Sequence, residues 1–99
     1  MKVRLLRSAF LDLVDGRRFY ERQSSGLGEY FFASLFSDID TLEAYGGIHR
    51  QLFDYHRALS KRFPYAVYYK IITQEVVVFR VLDCRQNPME IRRFLSPDQ

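Results

Sequence analysis

The stretch RFPYAVYYKIITQEVVVFRVL, residues 62–82, is the best starting point for predicting how this 99-residue chain folds. Pro64 restricts the residue before it to extended backbone, so a strand is predicted to begin there. Alternation then places Tyr65 and Tyr69 on one face of the strand and Tyr68 on the other. After a short connection, the β-branched run VVVFRVL has the composition of a central strand. The stretch therefore predicts a β-hairpin with two distinct faces rather than a platform of rings for stacking bases.

Two more strands are predicted to extend this hairpin into a sheet. Residues 55–61 alternate along their length, which predicts a half-polar and partly exposed strand. Near the N-terminus, Val3 and Leu5 alternate with Lys2 and Arg4, which fits a short strand better than one turn of helix. The sheet is therefore expected to be small and largely antiparallel.

A first helix is predicted directly after the N-terminal strand. Ser8 is its expected N-cap, because a serine hydroxyl accepts a hydrogen bond from an otherwise unpaired amide of the first turn. The inward stripe has helical spacing and consists of Ala9, Leu13, Gly16 and Tyr20, widened by Phe10 and Val14. Since Gly16 has no side chain, another part of the backbone is expected to approach it closely.

A second helix is predicted after the break SSGLG, and it has the clearest pattern in the sequence. Its apolar residues follow the spacing i, i+3, i+4 and i+7 from Leu27 to Tyr45. Gly46 and Gly47 are expected to end it, because glycine adopts the left-handed conformation that closes a helix. Two helices joined by so few residues predict an antiparallel helical hairpin.

The C-terminal segment PMEIRRFL predicts a short helix or tail that begins at Pro88. Ile91, Phe94 and Leu95 fall on one side of it. Because helices and strands are segregated along the chain, the fold class is α+β, with an N-terminal strand and the helical hairpin packed on one face of the sheet. Given its length, the whole chain, residues 1–99, is expected to form a single domain around one hydrophobic core.

Few residues have the spacing of a cofactor, metal or acid–base site. The segment SGLGE lacks the glycine spacing and the preceding strand of a nucleotide-binding loop. Cys84 is the only cysteine, and His49 and His56 are the only histidines, so no cofactor and no metal are expected. Both histidines are predicted to be ordinary surface or interface residues. The aspartates on the predicted helices are expected to lie on solvated surfaces: Asp12, Asp15, Asp38 and Asp40.

The sequence also predicts where the protein resides. No apolar run approaches the roughly 20 residues that cross a bilayer, so no membrane contact is expected. The N-terminus MKVRLLRSAF lacks the long apolar core of a signal peptide. The expected location is the cytoplasm.

Basic residues form the most informative chemical pattern. The formal charge is only +3, but twelve of the fifteen basic residues are arginine, which suits the recognition of phosphates and carboxylates. Many of them fall in the sheet half or the tail, where folding is expected to gather several beside exposed tyrosines: Arg57, Lys61, Arg62, Arg80, Arg85, Arg92 and Arg93. Such a surface suits RNA, DNA or an acidic protein partner, and the alternative is a solvated face without a ligand.

The motifs carry a resemblance to a known family. FPYAVYYKI followed by EVVVFRVLDCRQNP resembles the sheet core of the RelE/ParE superfamily, the small toxins of type II toxin–antitoxin systems that include plasmid stabilisation proteins. In the first half, Asp12–Leu13 and FYERQSSGLGEYF resemble the helical hairpin of that family. The resemblance implies a growth-inhibiting toxin that forms a hetero-oligomer with a cognate antitoxin, whose C-terminal segment folds as it binds.

The resemblance leaves two branches open. In the ribonuclease branch, Arg57, Lys61 and Arg85 would be the catalytic residues of a metal-independent, ribosome-dependent endoribonuclease that cuts messenger RNA. Two departures weigh against it, because Ala66 stands where that branch has a cation and no tyrosine follows Arg85. The closer branch is therefore ParE-like, a non-enzymatic inhibitor of DNA gyrase. A non-toxic interaction module derived from this fold is the third alternative.

The resemblance also suggests which residues bind the target or the antitoxin. These are the basic residues of the sheet half and tail with one aromatic residue: Arg57, Lys61, Arg62, Arg80, Arg85, Arg92, Arg93 and Phe94. A toxin that stays bound to an antitoxin is expected to carry an apolar patch wider than a monomer normally exposes. Phe32, Phe36 and Phe94 are predicted to be partly exposed parts of that patch.

Overall fold

The computed structural model describes residues 1–96 as four helices and a five-stranded sheet. In chain order, the elements are β1 (Lys2–Leu5), α1 (Arg7–Gln23), α2 (Leu27–Asp40), α3 (Leu42–Tyr45), β2 (Gln51–Leu52), β3 (Tyr55–Leu59), β4 (Tyr65–Ile72), β5 (Glu75–Asp83) and α4 (Pro88–Leu95). The strand order is β1-β5-β4-β3-β2, and only β1 runs parallel to its neighbour. The predicted α+β fold, with a helical hairpin on a largely antiparallel sheet, is confirmed.

The β4–β5 hairpin has the two faces that its alternation predicts. Thr73 and Gln74 connect the strands with φ values of 49° and 61°, the left-handed conformations of a tight hairpin turn. Tyr65 and Tyr69 pack toward the helical hairpin, whereas Tyr68 packs on the opposite face. All three are buried, so the expectation that exposed tyrosines lie beside the basic residues is wrong for them.

The sheet has a hydrophobic core on each face instead of the single core expected. The hairpin-side core lies under α1 and α2, and its members include Leu13, Phe31, Leu35, Val67 and Val78. The α4-side core lies on the other face and consists of Tyr55, Ala66, Tyr68, Leu82, Ile91 and Leu95. A second core forms because the short C-terminal helix folds back and covers the face that the helical hairpin leaves open.

Helix α1 begins two residues earlier than its capping pattern predicts. Its N-cap is Leu6 and makes no side-chain capping bond, so the prediction of Ser8 as N-cap is wrong. The Ser8 hydroxyl instead donates to the carbonyl of Phe79 at 2.7 Å, because Ser8 faces β5 from the first turn of the helix. The stripe from Ala9 to Tyr20 is buried as predicted, but Phe10 is 45% exposed.

Gly16 is a point of close approach, as predicted, although its neighbour is a ring rather than backbone. A Cβ atom at Gly16 would lie 2.5 Å from two ring atoms of Phe31 on α2. Real Cβ atoms do not reach that separation, so glycine is the residue that lets α1 and α2 pack at this point. The close crossing fixes the position of α1 beside β5.

The second helical pattern continues to Tyr45 as predicted, but it divides into α2 and α3 at Thr41. The Thr41 hydroxyl donates to the Asp38 carbonyl at 2.6 Å and helps to close α2. Strand β2 has no counterpart among the predicted elements. Its two residues pair with β3 through a tight turn in which Phe53 and Asp54 have φ values of 54° and 70°.

Candidate basic and aromatic surfaces

Arg57 lies on β3 at the edge of the α4-side core. Its Nε donates to the hydroxyl of Tyr68 at 3.2 Å, and its Nη2 donates to Cys84 Sγ at 3.4 Å. Burial by itself lowers the pKa of Arg57, but the hydrogen bond to Tyr68 and the neighbouring Cys84 raise it above the ordinary arginine value. The result is a guanidinium that stays charged and is held in one orientation by Tyr68 on β4 and by Cys84 just after β5.

Arg85 lies beyond the end of β5 and points toward the helical hairpin. Its Nη2 is 2.8 Å from a carboxylate oxygen of Asp83 and 3.4 Å from the hydroxyl of Tyr20 on α1. The hydrogen bond from Arg85 lowers the pKa of Asp83, and the same bond raises the pKa of Arg85. Tyr20 belongs to the hairpin-side core, whereas Cys84, the partner of Arg57, packs against the α4-side core. Arg57 and Arg85 therefore make their contacts on opposite sides of the sheet.

Arg80 forms an ion pair with a carboxylate inside the fold. Its Nε and Nη2 each donate to Asp12 at 2.8 Å, and the Asp12 side chain is only 12% exposed. The hydrogen bond to Asp12 raises the pKa of Arg80, although burial opposes it. The prediction that Asp12 lies on a solvated helix surface is therefore wrong, since its oxygens face β5.

Asp12 and Ser8 also complete the edge of β5 where β1 ends. Strand β1 pairs with β5 only as far as Val78. Beyond it, the Ser8 hydroxyl donates to the Phe79 carbonyl and a carboxylate oxygen of Asp12 accepts the Val81 N–H at 2.9 Å. Residues four apart lie on the same side of a helix, so α1 supplies the hydrogen-bonding groups that a longer β1 would supply.

Two contacts between an arginine and an aromatic ring link helix α4 to other parts of the fold, one from Arg80 on β5 and one to Phe53 in the turn before β3. The guanidinium of Arg80 lies 4.8 Å from the ring centre of Phe94, and that of Arg93 lies 6.0 Å from it. Arg93 also pairs with Glu90, and Arg92 lies 5.7 Å from the ring centre of Phe53. A groove of about 420 Å³ runs between α1, the end of β5 and α4, and Asp15, Phe19 and Phe94 contribute to its lining.

The remaining predicted basic residues, Lys61 and Arg62, are exposed in the connection between β3 and β4. Asp38 on α2 accepts the Lys61 N–H at 3.3 Å and the Ser60 hydroxyl at 2.7 Å. The eight predicted residues thus do not form one basic surface. Three arginines are paired with carboxylates, and four cations have no carboxylate partner within residues 1–96: Arg57, Lys61, Arg62 and Arg92.

Tyrosine hydroxyls near these arginines already have partners. The Tyr68 hydroxyl accepts from Arg57, the Tyr20 hydroxyl accepts from Arg85, and the Tyr55 hydroxyl donates to the Leu95 carbonyl at 3.0 Å. Burial, with the nearby Asp83 charge, raises the pKa of Tyr65 to about 12. Such phenols hold parts of the fold together and are poorly placed to transfer a proton to a ligand.

A network around Tyr69 was not predicted. The Tyr69 hydroxyl accepts the Gly47 N–H at 2.8 Å and lies 2.6 Å from His49 Nδ1, and the ring of His56 stacks on the Tyr69 ring. Burial lowers the pKa of His49, and the nearby His56 lowers it further. His49 thus helps to hold the segment after α3 on the sheet, a role inside the fold that the sequence did not predict. Its partner lies 20 residues away, a separation for which sequence patterns give no signal.

The outer surface of the helical hairpin carries an aromatic ridge, which consists of Phe10, Phe32 and Phe36. Phe32 contacts Phe10 and Phe36 edge to face, with ring centres 6.3 Å and 4.9 Å apart. The guanidinium of Arg17 lies 4.5 Å from the ring centre of Phe32. The predicted partial exposure of Phe32, Phe36 and Phe94 is confirmed.

These features define a class of small α+β protein in which a helical hairpin and a C-terminal helix cover the two faces of one sheet. A chain in the solved structure of the chromosomal ParDE TA system from P. aeruginosa has this fold, with a TM-score of 0.68. The match is 17% identical in sequence and covers 82% of this chain and 92% of that chain. No family model matches the sequence, and no curated protein matches it either. The fold expected from the RelE/ParE resemblance is therefore confirmed.

No helix within residues 1–96 has the length and apolar content needed to cross a membrane.

Proposed function

We propose that this chain is the ParE-like toxin of a type II toxin–antitoxin system, which inhibits DNA gyrase in the cytoplasm and is neutralised by a cognate antitoxin. The observation that carries the proposal is the shared fold with a chain of the ParDE TA system, which spans most of both chains. The order of the sequence motifs, from the helical hairpin to the segment DCRQNP, supports it independently.

The arrangement of the basic residues favours target binding over RNA cleavage. Metal-independent cleavage needs a base, an acid and cations that converge on one phosphate. Arg57 and Arg85 make their contacts on opposite sides of the sheet, and Arg85 is paired with Asp83. Ala66 is buried and contributes no cation. The separate contacts of Arg57 and Arg85 therefore count against the ribonuclease alternative.

The antitoxin is proposed to cover the aromatic ridge of the helical hairpin. Phe10, Phe32 and Phe36 form a continuous apolar strip that suits the apolar face of an amphipathic helix. Arg17 borders the strip, and because its pair with Glu29 at 3.8 Å is exposed and weak, Arg17 also suits an acidic residue of the same partner. Lys61 and Arg62, which have no carboxylate partner within residues 1–96, remain available for the target.

Inducible expression in bacteria separates the candidate functions. The expected result is growth arrest with cell filamentation and a DNA-damage response, together with loss of supercoiling by purified gyrase after addition of the purified protein. The double variant Lys61→Ala with Arg62→Ala is expected to weaken gyrase inhibition. The matched control Arg18→Ala with Arg22→Ala, exposed on α1, is expected to retain it.

Immediate loss of protein synthesis with cleaved messenger RNA would replace the proposal with the ribonuclease alternative. Normal growth, with no effect on purified gyrase by a folded protein, would favour the non-toxic interaction module.

A further inference from the structure

The outer edge of β3 is only partly covered by its neighbour β2. The two residues of β2 pair with Tyr55 and His56, and the Arg57 N–H donates to the Arg50 carbonyl at 2.9 Å. The Ser60 N–H points the other way and donates to Tyr65 on the β4 side. Because N–H and C=O directions alternate along a strand, Leu59 directs both groups outward, as Arg57 does.

This open edge ends at Lys61, whose backbone N–H already has a hydrogen-bond partner. Next in the outward-facing alternation is the Lys61 N–H, which donates to Asp38. Within residues 1–96, the Arg57 carbonyl and both backbone groups of Leu59 thus face outward without a strand beside them. Three such groups in a row offer the hydrogen bonds of one short added strand.

A groove lies on each side of the edge. On the α4 side, a groove of about 670 Å³ is lined by Arg50, Leu52, Arg57 and Leu59 among others. On the hairpin side, a groove of about 340 Å³ is lined by residues that include Tyr45, Ile48 and Leu59. Side chains of a strand point alternately to its two faces, so an added strand would place successive residues into the two grooves.

The side chains that line the two grooves indicate which kind of partner segment would bind there. The hairpin-side groove is bordered by the exposed apolar residues Ile48, 74% exposed, and Tyr45, 58% exposed, and Leu59 lines both grooves. The α4-side groove carries Arg50 and Arg57. A second copy of this chain would bring these cations against one another, which disfavours self-pairing.

We propose that the open edge of β3 binds an extended partner segment that alternates acidic and apolar residues and adds to the sheet as a strand. Its acidic side chains meet Arg50 and Arg57, and its apolar side chains meet Tyr45 and Ile48. The inference rests on the proposed function only in that the antitoxin is the protein expected to supply the segment.

A synthetic peptide that alternates valine with glutamate tests the proposal with the folded full chain. Titration of the peptide, followed by NMR, is expected to slow hydrogen exchange of the Leu59 amide about tenfold or more at saturation, because that amide gains a hydrogen bond. A peptide that alternates valine with lysine is the matched probe and is expected to bind more weakly.

Two variants test the contacts one by one. Leu59→Glu is expected to abolish binding of the valine–glutamate peptide, whereas Ile72→Glu, at another exposed position on β4, leaves it unchanged. Arg50→Glu is expected to weaken binding about fivefold, the size of an exposed ion pair, and Arg18→Glu on α1 is its control.

The proposal is overturned if the peptide binds without slowing exchange at Leu59, if the lysine peptide binds equally well, or if no binding occurs to the folded protein. These outcomes do not depend on toxicity. A chain that binds the peptide but leaves growth and gyrase unaffected would retain the docking edge and lose the proposed toxin function.

Discussion

The two faces of the sheet are stabilised in different ways. On the hairpin side, α1 and α2 bury a large core in which the rings of Tyr20, Phe31 and Phe63 lie 4.8–5.1 Å apart. On the α4 side, an eight-residue helix covers a smaller core, and directed polar contacts such as that from Tyr55 to the Leu95 carbonyl hold it. The hairpin side therefore depends mainly on packed volume, and the α4 side depends on a few specific contacts.

Matched leucine truncations test this difference and carry the largest expected effect. Leu35→Ala on α2 is expected to lower the free energy of unfolding by about 4 kcal/mol, because Leu35 is fully buried in the hairpin-side core and its loss leaves a cavity there. Leu95→Ala on α4 is expected to cost about 2 kcal/mol, because the end of a short helix can relax. Urea unfolding of both variants measures the two values, and equal losses would remove the distinction between the faces.

Variants of the Asp12–Arg80 pair test whether the stabilities of the hairpin side and the α4 side are linked, because Asp12 lies on α1 and Arg80 also contacts Phe94 of α4. Asp12→Ala is expected to cost about 2 kcal/mol, since it leaves Arg80 and the Val81 N–H without their acceptor. Arg80→Met alone is expected to cost less, and the double variant is expected to be more stable than the sum of the two single losses predicts. Strictly additive losses in this double-mutant cycle would show that the pair makes no net contribution.

The hydroxyl of Tyr68 tests the polar contacts of the α4 side separately. Tyr68→Phe keeps the buried ring and removes only the acceptor of Arg57, so a loss of about 1 kcal/mol is expected. Tyr69→Phe on the hairpin side is the comparison variant, because it removes the acceptor of Gly47. Thermal unfolding of both proteins checks the values, and an unchanged midpoint for Tyr68→Phe would contradict the role given to Arg57.

The smallest expected effect is a dependence of stability on pH through His49. Its pKa is lowered in the folded state, first by burial and then by His56, so folding favours the neutral ring. The contribution to stability is complete above the unfolded-state value of about 6.5 and is lost as the pH falls through the lower folded-state pKa. His49→Gln is expected to flatten the stability profile in that window, as measured by denaturant unfolding at several pH values. A profile identical to that of the unmodified protein would contradict it.

Several features of the fold that depend on residues close together in the sequence were predicted correctly. Alternation separated Tyr68 from Tyr65 and Tyr69, and helical spacing identified the buried stripe around Gly16. The roles of Ser8 and Asp12 could not be predicted in this way, because their partners on β5 lie 71 and 68 residues away. Strand β2 was missed for a different reason, since two residues are too few to show a period.

The candidate surfaces were predicted less fully than the fold. Sequence identified the cations, but it does not contain the distances that pair Arg80 with Asp12 and Arg85 with Asp83. Partial exposure of Phe32 and Phe36 followed from the helical stripe, which is complete without them. Which basic side chains remain free of a carboxylate partner depends on contacts that form only when the sheet and helices assemble.

The parallel pair of β1 and β5 has a consequence for biosynthesis. Lys2 aligns with Glu75, so β1 is completed only by residues made 73 positions later. Contacts of such wide separation form slowly, since the intervening chain must close a long loop first. During translation, the N-terminal strand and the aromatic surface of α1 and α2 stay without their sheet until most of the chain has emerged. The nascent chain therefore exposes an incomplete fold until β5 has been synthesised.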